Sequence, residues 1–301
     1  MYFIDPIQIT DTEFTSSTVP ETDFAEWAVG TTYADGDKVI STTTHRIYES
    51  VQASNTGNDP TTDDGTWWID IAPTNRWAMF DNVVGTVTSQ ATSIIVEVDL
   101  DSIVSSLALL DISAESVRIE VIDPIDGLVY DKTITTYDQA TVIDWYTYFF
   151  EDLRPQTSLI INDLPSYKQS TIKLTISNSS SNAECGTFAI GKYIELGKSQ
   201  YGARVGIIDY SKKDTDIFGV TSLLERTYAK KIDVNCWVDN TQVDYIANKL
   251  AEVRATPCVW VSNNDSSAYS SLVVYGFYKD WQTVISYPTV SILNMSIEGL
   301  T

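Results

Sequence analysis

The chain has 301 residues and a formal net charge of −22, because 41 Asp and Glu outnumber 19 Lys and Arg. This balance argues against nucleic acid as a partner, since phosphate contacts need basic side chains, and against binding to an anionic membrane surface. The hydrophobic fraction of 43% is enough for ordinary globular cores. No apolar run approaches the roughly 20 residues of a membrane-spanning helix, and the length favours two or three domains.

The first 23 residues are polar, acidic and rich in threonine, and they contain Pro6 and Pro20. This composition predicts that residues 1–23 form an extended arm that becomes ordered against a neighbour. No Lys or Arg precedes a continuous apolar run here, so we expect no secretory signal.

Residues 24–72 are predicted to form a small separate unit stabilised by aromatic side chains. Two strand-like pieces, Asp37–Ser41 and Arg46–Ala53, flank a threonine-rich turn, and a loop rich in turn formers follows them. That loop carries Asp59, Asp63 and Asp64. Two interpretations of the Asp59–Asp64 loop stay open: a solvated acidic loop, or oxygen ligands for calcium.

Residues 73–196 alternate apolar and polar side chains with the period of a strand. The runs SIIVEVDL (93–100) and ESVRIEVID (115–123) each place their apolar residues on one face, and Asp126-Gly127 indicates a tight hairpin turn. Short strands at such spacing predict a β-sandwich or jelly roll.

A glycine-containing, charged segment, residues 197–230, is predicted to be a connector to the last domain. Residues 231–301 predict a small α+β domain in which one helix packs on an antiparallel sheet. The helical stripe lies in NTQVDYIANKLAEVRA (240–255). Thr241 and Asp244 suggest a capping box at its start, and Pro257 follows its end.

The chain offers little catalytic machinery. It has one histidine, His45, in a strand-like stretch where we expect an ordinary solvent-facing residue. It lacks the GxSxG, GxxxxGK[ST] and GxGxxG motifs, so we expect no catalytic residues, no cofactor and no enzyme activity. Paired carboxylates for glycoside hydrolysis remain open, although chance pairing among 41 acids makes that signal uninformative.

The three cysteines are far apart in the chain, and no pair of them has metal-ligand spacing. We therefore expect no metal site, and thiols that stay reduced in the cytosol where the chain is made. The residues concerned are Cys185, Cys236 and Cys258.

Residues 24–72 contain a characteristic order of aromatic, glycine and strand positions: Trp27, Thr32-Tyr33, Gly36-Asp37-Lys38-Val39, Tyr48, Pro60 and Trp68-Ile69-Asp70-Ile71. In this order they resemble the carbohydrate-binding modules of the type 5/12 chitin-binding family. The resemblance implies a compact three-stranded β fold and a glycan ligand, for which Trp67 and Tyr48 are the candidate binding residues. Members that bind chitin usually show an adjacent aromatic pair where this chain has Val51–Asn55.

The tandem tryptophans of this unit cannot both lie in its core if they belong to one strand, because neighbouring side chains point to opposite faces. We assign Trp68 to the core. Trp67 is then either packed on the next domain or open to solvent as a platform for a sugar ring.

The rest of the chain contains five strings that carry a second resemblance: Asn75–Asp81, Ile208–Lys213, Asp216–Gly219, Tyr287-Pro288 and Ile297–Leu300. With these strings it resembles tailed-bacteriophage virion proteins. This resemblance implies a non-enzymatic structural component of the tail tip or baseplate region, a homo-oligomer or ring that binds other tail proteins. Its location would be the virion tail, assembled in the host cytoplasm. The alternative is a glycan-binding adhesin that contacts host-surface polysaccharide.

Overall fold

The structure is a computed structural model that describes residues 1–138, 145–146, 154–215, 218–262 and 270–300. The protein is mainly β, as the sequence predicts, and packs the α-helix α1 (Val243–Glu252) on antiparallel sheets. In the described part of the chain, no helix is long and apolar enough to cross a bilayer. Short 3₁₀ turns lie at Ala78–Phe80, Asn240–Gln242 and Ser270–Leu272.

The first 15 strands belong to the N-terminal segment, the small unit and the sandwich, and the longest of them lie in the sandwich. They are β1 (Tyr2–Pro6), β2 (Phe14–Ser17), β3 (Thr32–Tyr33), β4 (Lys38–Ser41), β5 (Arg46–Ser50), β6 (Asn55–Thr56), β7 (Trp68–Pro73), β8 (Thr88–Leu100), β9 (Ser106–Ser113), β10 (Ser116–Asp123), β11 (Gly127–Thr135), β12 (Tyr137–Asp138), β13 (Arg154–Pro155), β14 (Ser158–Ile161) and β15 (Ser170–Glu195).

The remaining strands belong to the C-terminal third. They are β16 (Lys198–Ser199), β17 (Arg204–Asp209), β18 (Lys212–Thr215), β19 (Thr221–Leu224), β20 (Tyr228–Asp239), β21 (Cys258–Val261), β22 (Val273–Val284) and β23 (Val290–Gly299).

The small unit is built on the three-stranded antiparallel sheet β4-β5-β7, and β3 pairs separately with β6. The three-stranded sheet is the one that the family resemblance implies for residues 24–72.

The sandwich is organised by β15, which is 26 residues long. The first part of β15 pairs with β8 and β10, and its second part pairs with β9 and β1. The predicted apolar faces of 93–100 and 115–123 are buried in one cluster with apolar residues of β9 and β15. The predicted hairpin joins β10 to β11, with Gly127 at a φ of +76° that favours glycine.

The first six residues form an interior strand, so the prediction of an extended arm is wrong there. Strand β1 lies between β15 and β21, pairing Tyr2 with both Glu195 and Val261. The side chains of Met1 to Ile4 are buried. The apolar start MYFI therefore joins the sandwich to the C-terminal sheet, while β2 pairs with β8.

The C-terminal unit is the predicted α+β domain, with the sheet order β21-β22-β23-β20. Helix α1 buries Ile246 and Leu250 in the same apolar cluster as Trp260. The predicted capping box does not form. Instead, the Asp239 carboxylate accepts hydrogen bonds from the N–H and the hydroxyl of Thr241, at 2.9 and 2.7 Å.

The predicted connector, residues 197–230, contains strands. β16 and β17 both pair with β20, while β18 pairs with β19. Together, β17, β18, β19 and the start of β20 form a two-stranded antiparallel ribbon, called the ribbon below. The turn formers of this segment break the strands into short pieces without preventing their pairing.

Candidate functional site

The small unit has an aromatic core, and Trp68 is at its centre. Trp68 is buried with Tyr33, Val39 and Tyr48. Its indole meets the Tyr33 ring edge-on, with centroids 5.1 Å apart, and its Nε1–H donates to the carbonyl of Asn58 at 2.9 Å. These contacts confirm the assignment of Trp68 to the core.

Tyr48, one of the two candidate sugar-binding residues, belongs to the same core. Only 7% of its surface is exposed, and its hydroxyl lies 3.0 Å from the hydroxyl of Thr44. A ring that is buried to this extent has no free face on which a sugar could stack. The structure therefore does not support Tyr48 as a stacking platform.

Trp67, the other candidate, is half-buried and packs against the aromatic core, as Trp27 does. Its backbone is fixed on both sides: the carbonyl accepts from the N–H of Val51 at 2.9 Å, and the N–H donates to Asp63 at 3.0 Å. Trp67 thus combines a held backbone with an indole that is partly open to solvent.

The acidic loop uses its carboxylates to hold its own backbone. One oxygen of Asp63 accepts hydrogen bonds from the N–H groups of Gly65, Trp67 and Trp68, at 2.9, 3.0 and 3.0 Å. The hydrogen bonds from Thr66 hold the pKa of the Asp64 carboxyl below its ordinary value. Across the described ranges, no group of three or more acidic, histidine or cysteine side chains is arranged to hold a metal ion.

His45 is not the solvent-facing residue that we predicted. Its side chain is 17% exposed, with Nδ1 2.8 Å from the Glu21 carboxylate and Nε2 2.9 Å from the Asp11 carboxylate. The imidazole stacks on Trp77, which belongs to the sandwich core. The Glu21 carboxylate also accepts from the hydroxyl of Thr74 at 2.8 Å. The small unit is thereby joined to the N-terminal segment and to the sandwich.

The ribbon is the most unusual surface of the protein. Among the described residues, β18 and β19 pair only with each other, and every residue of both strands is exposed. Leu223 and Leu224 are 70% and 55% exposed. Because neighbouring side chains of a strand point to opposite faces, both faces of the ribbon carry apolar groups in solvent. This end of the ribbon therefore does not rest on the body of the protein.

A groove with a volume of about 480 Å³ lies at the root of the ribbon. Its walls come from the sandwich and from the C-terminal sheet. They include the apolar residues Leu110 and Val273 and the carboxylate of Asp111. Val84 lies on its rim and is exposed. In the described part of the chain, the Asp111 carboxylate forms no salt bridge within 4.0 Å.

The three cysteines are free and buried. Burial, with a smaller contribution from the charge of Asp5, raises the pKa of the Cys258 thiol to about 12. Burial also raises the pKa of Cys185 and of Cys236. Thiols held in the neutral form are poor nucleophiles, so these side chains are core residues.

The sequence pattern did not predict two features of the structure, the contacts of His45 and the ribbon. His45 meets carboxylates 24 and 34 residues away in the chain, a contact that local pattern cannot show. The ribbon had a detectable signal, since RVGIID (204–209) contains three β-branched residues of the kind that favour a strand, but the glycines nearby favoured a connector.

Comparison with known proteins identifies no family. No protein-family model matches the chain, and no curated protein matches its sequence. Among solved structures, a match is the selenomethionine-labelled point mutant of chitosan-binding module 1 from a chitosanase/glucanase of Paenibacillus sp. IK-5. The two share 16% identity over 38% of this chain and 82% of that chain, with a TM-score of 0.26. At this TM-score, the similarity carries no argument about function.

Proposed function

We propose that the protein is a non-enzymatic structural component of a bacteriophage tail, in the tail tip or baseplate region, that assembles with other tail proteins. The observation that carries the proposal is the ribbon, whose apolar side chains are exposed on both faces. An isolated two-stranded ribbon is only marginally stable in water, and an exposed apolar strand invites pairing with another chain. A protein that functions within an assembly covers such a surface.

Two further observations support this proposal over catalysis. The cysteines are buried in the core. The lone histidine is engaged with two carboxylates and an indole, in a contact between structural units. The strings that resemble virion proteins support the location in a tail, which is the part of the proposal that rests on sequence alone.

A second function, glycan binding, is favoured by one specific observation. Trp67 keeps part of its indole open to solvent while its backbone is held by Asp63 and Val51. Aromatic rings that are positioned in this way offer an apolar surface to a sugar ring. Glycan binding by the small unit is compatible with a structural role for the remainder of the chain.

The two functions are tested side by side. Mass spectrometry of purified virions from the phage that encodes the chain is expected to detect it as a stoichiometric component. The purified protein is screened in parallel against chitin, chitosan and host-surface polysaccharide. Absence from the virions combined with glycan binding that is lost in Trp67→Ala would replace the structural proposal with the adhesin. Hydrolysis of any of these polymers that is abolished by one Asp or Glu substitution would overturn the proposal that the protein is not an enzyme.

A further inference from the structure

We propose that the ribbon docks on a second copy of this chain and inserts into the groove at the root of that copy's own ribbon. This inference rests on the proposed function and adds to it a partner and the surface that receives it. The contact joins two different surfaces, ribbon and groove. Repetition of such a contact closes a ring or extends a filament.

The number of exposed apolar side chains on the ribbon fits an interface between proteins. Six apolar or aromatic residues of the ribbon are each at least 47% exposed, on its two faces. Large apolar side chains gathered on one exposed element of a soluble protein are characteristic of interaction sites. The six residues are Val205, Ile207, Tyr210, Leu223, Leu224 and Tyr228, each of them exposed.

The distribution of charge selects a copy of this chain as the partner. Residues 197–231 contain seven Lys and Arg and four Asp and Glu, a net charge of +3, so the remainder of the chain carries −25. Two copies that met only through parts of the chain outside this segment would bring together regions whose summed charge is negative. The ribbon is the part of the molecule that meets an acidic copy with attraction.

One basic group of this region, Arg226, is available for such a contact. Lys212 and Lys213 face Asp214 and Asp209 of the ribbon itself, at 3.5 and 3.6 Å. Arg226 is different, because it forms no salt bridge with any described residue. It lies two residues from Leu224, so it enters the contact together with the apolar side chains.

The groove is the surface of the second copy that matches the ribbon. Leu110, Val273 and Leu300 supply apolar walls, and its volume of about 480 Å³ accommodates several apolar side chains. The Asp111 carboxylate and the Lys230 side chain both line the groove, and Asp111 is the complement of Arg226. Apolar side chains between charged groups of opposite sign give the arrangement that specific interfaces use.

The inference is tested by measuring the mass of the full chain in solution with two variants and two matched controls. Leu223→Ser/Leu224→Ser alters the ribbon, and Ile125→Ser/Leu128→Ser removes two apolar side chains that are at least 54% exposed from the β10–β11 hairpin. Val84→Lys places a positive charge on the groove, where it opposes the basic ribbon, and Val83→Lys places the same charge on its exposed neighbour outside the groove. Size-exclusion chromatography with light scattering is expected to show an oligomer for wild type and both controls, and a monomer for both test variants.

Mixing the two monomeric variants gives the sharper result. An equimolar mixture contains one intact ribbon and one intact groove, so it is expected to form a one-to-one heterodimer that grows no further. A circular dichroism spectrum equal to that of the controls and a cooperative melting transition show that each variant is folded. A variant that fails this check is replaced by Arg226→Asp for the ribbon or Asp111→Asn for the groove.

Three results would overturn the inference: a wild-type chain that is monomeric at 100 µM, a ribbon variant that keeps the wild-type mass, or a mixture that stays monomeric. The structural proposal is judged separately, by the presence of the chain in virions. If the chain is found in virions while the wild type is monomeric, the assembly role stands, and the partner of the ribbon is then another protein.

Discussion

The imidazole of His45 stacks on the indole of Trp77, with ring centroids 4.0 Å apart and ring planes 20° from parallel. Both of its nitrogens also meet carboxylates of the N-terminal segment, Glu21 and Asp11. One side chain of the small unit therefore contacts the N-terminal segment and the sandwich core at the same time. This contact fixes the small unit in place and depends on a single ring.

We expect His45→Asn to loosen the small unit. The substitution removes the stack and the two carboxylate contacts, and asparagine tolerates the φ of +56° that this position requires. Loss of hydrogen bonds to charged partners is expected to lower the free energy of unfolding by about 1–3 kcal/mol. Urea denaturation measures the loss, and limited proteolysis between the small unit and the sandwich reports the loosening.

The matched control is Ser54→Asn. Ser54 lies in the same unit at a φ of +61° and is exposed, so the backbone requirement is the same without the ring contacts. We expect wild-type stability and protease resistance from it. Equal behaviour of the two variants would show that the His45 ring does not hold the unit.

The tandem tryptophans are expected to differ strongly in their effect on stability. Trp68→Ala removes a fully buried indole from a four-residue core, and precedents for large-to-small changes place the cost at roughly 3–5 kcal/mol. Trp67→Ala removes a half-buried indole and is expected to cost less than half as much. Thermal melting of the full chain, followed by near-ultraviolet circular dichroism, compares them. A larger loss for Trp67→Ala would reverse the inside–outside assignment.

The parts of the fold that follow from local pattern could be predicted from the sequence. Alternation in 93–100 and 115–123 located β8 and β10, and the helical stripe located α1, because each buries one face against neighbours. The small unit was recognised from the order of its aromatics and glycines. These features are periodic or local, so they can be recognised without knowing which distant segments pack against them.

The parts that depend on distant partners could not be predicted. Tyr2–Ile4 become interior only because β15 and β21, far along the chain, pair on either side of them. Tyr48 and Trp67 were both candidates for sugar binding, and only the packing of the unit separates a core ring from a half-open one. The groove is formed by residues from both larger units, so no single segment carries its signal.

Strand β1 makes a specific prediction for stability. Phe3 is fully buried and packs on Trp260, with ring centroids 4.9 Å apart. Phe3→Ala is expected to cost roughly 3–5 kcal/mol, because it opens a cavity where the sandwich joins the C-terminal sheet. Differential scanning calorimetry is the measurement. The control, Phe24→Ala, removes an exposed phenylalanine and should leave the melting temperature within about 2 °C, a range typical of surface substitutions.

The thiols make a prediction for reactivity and for pH. Burial keeps the pKa of Cys258 at about 12, above the ordinary value of 9, so at pH 9 its thiol stays neutral in the folded state but is half ionised in the unfolded state. The folded state therefore binds more protons than the unfolded state between pH 9 and about 12. The stability contributed by this site is complete below pH 9 and is lost as the pH rises toward 12.

Iodoacetamide at pH 9 is consequently expected to label none of the three cysteines in the native protein and all three in 6 M guanidinium chloride, as read by intact mass. An ionised thiolate is the attacking species, so burial, which blocks access of the reagent, and a raised pKa, which keeps the thiol neutral, both slow the alkylation of the native protein. The free energy of unfolding should also fall between pH 9 and 10.5, and Cys258→Ala should make that fall shallower by up to about 1.4 kcal/mol per pH unit. Native labelling at one site within minutes would show that the thiol is accessible and would reassign it from a core residue to a reactive one.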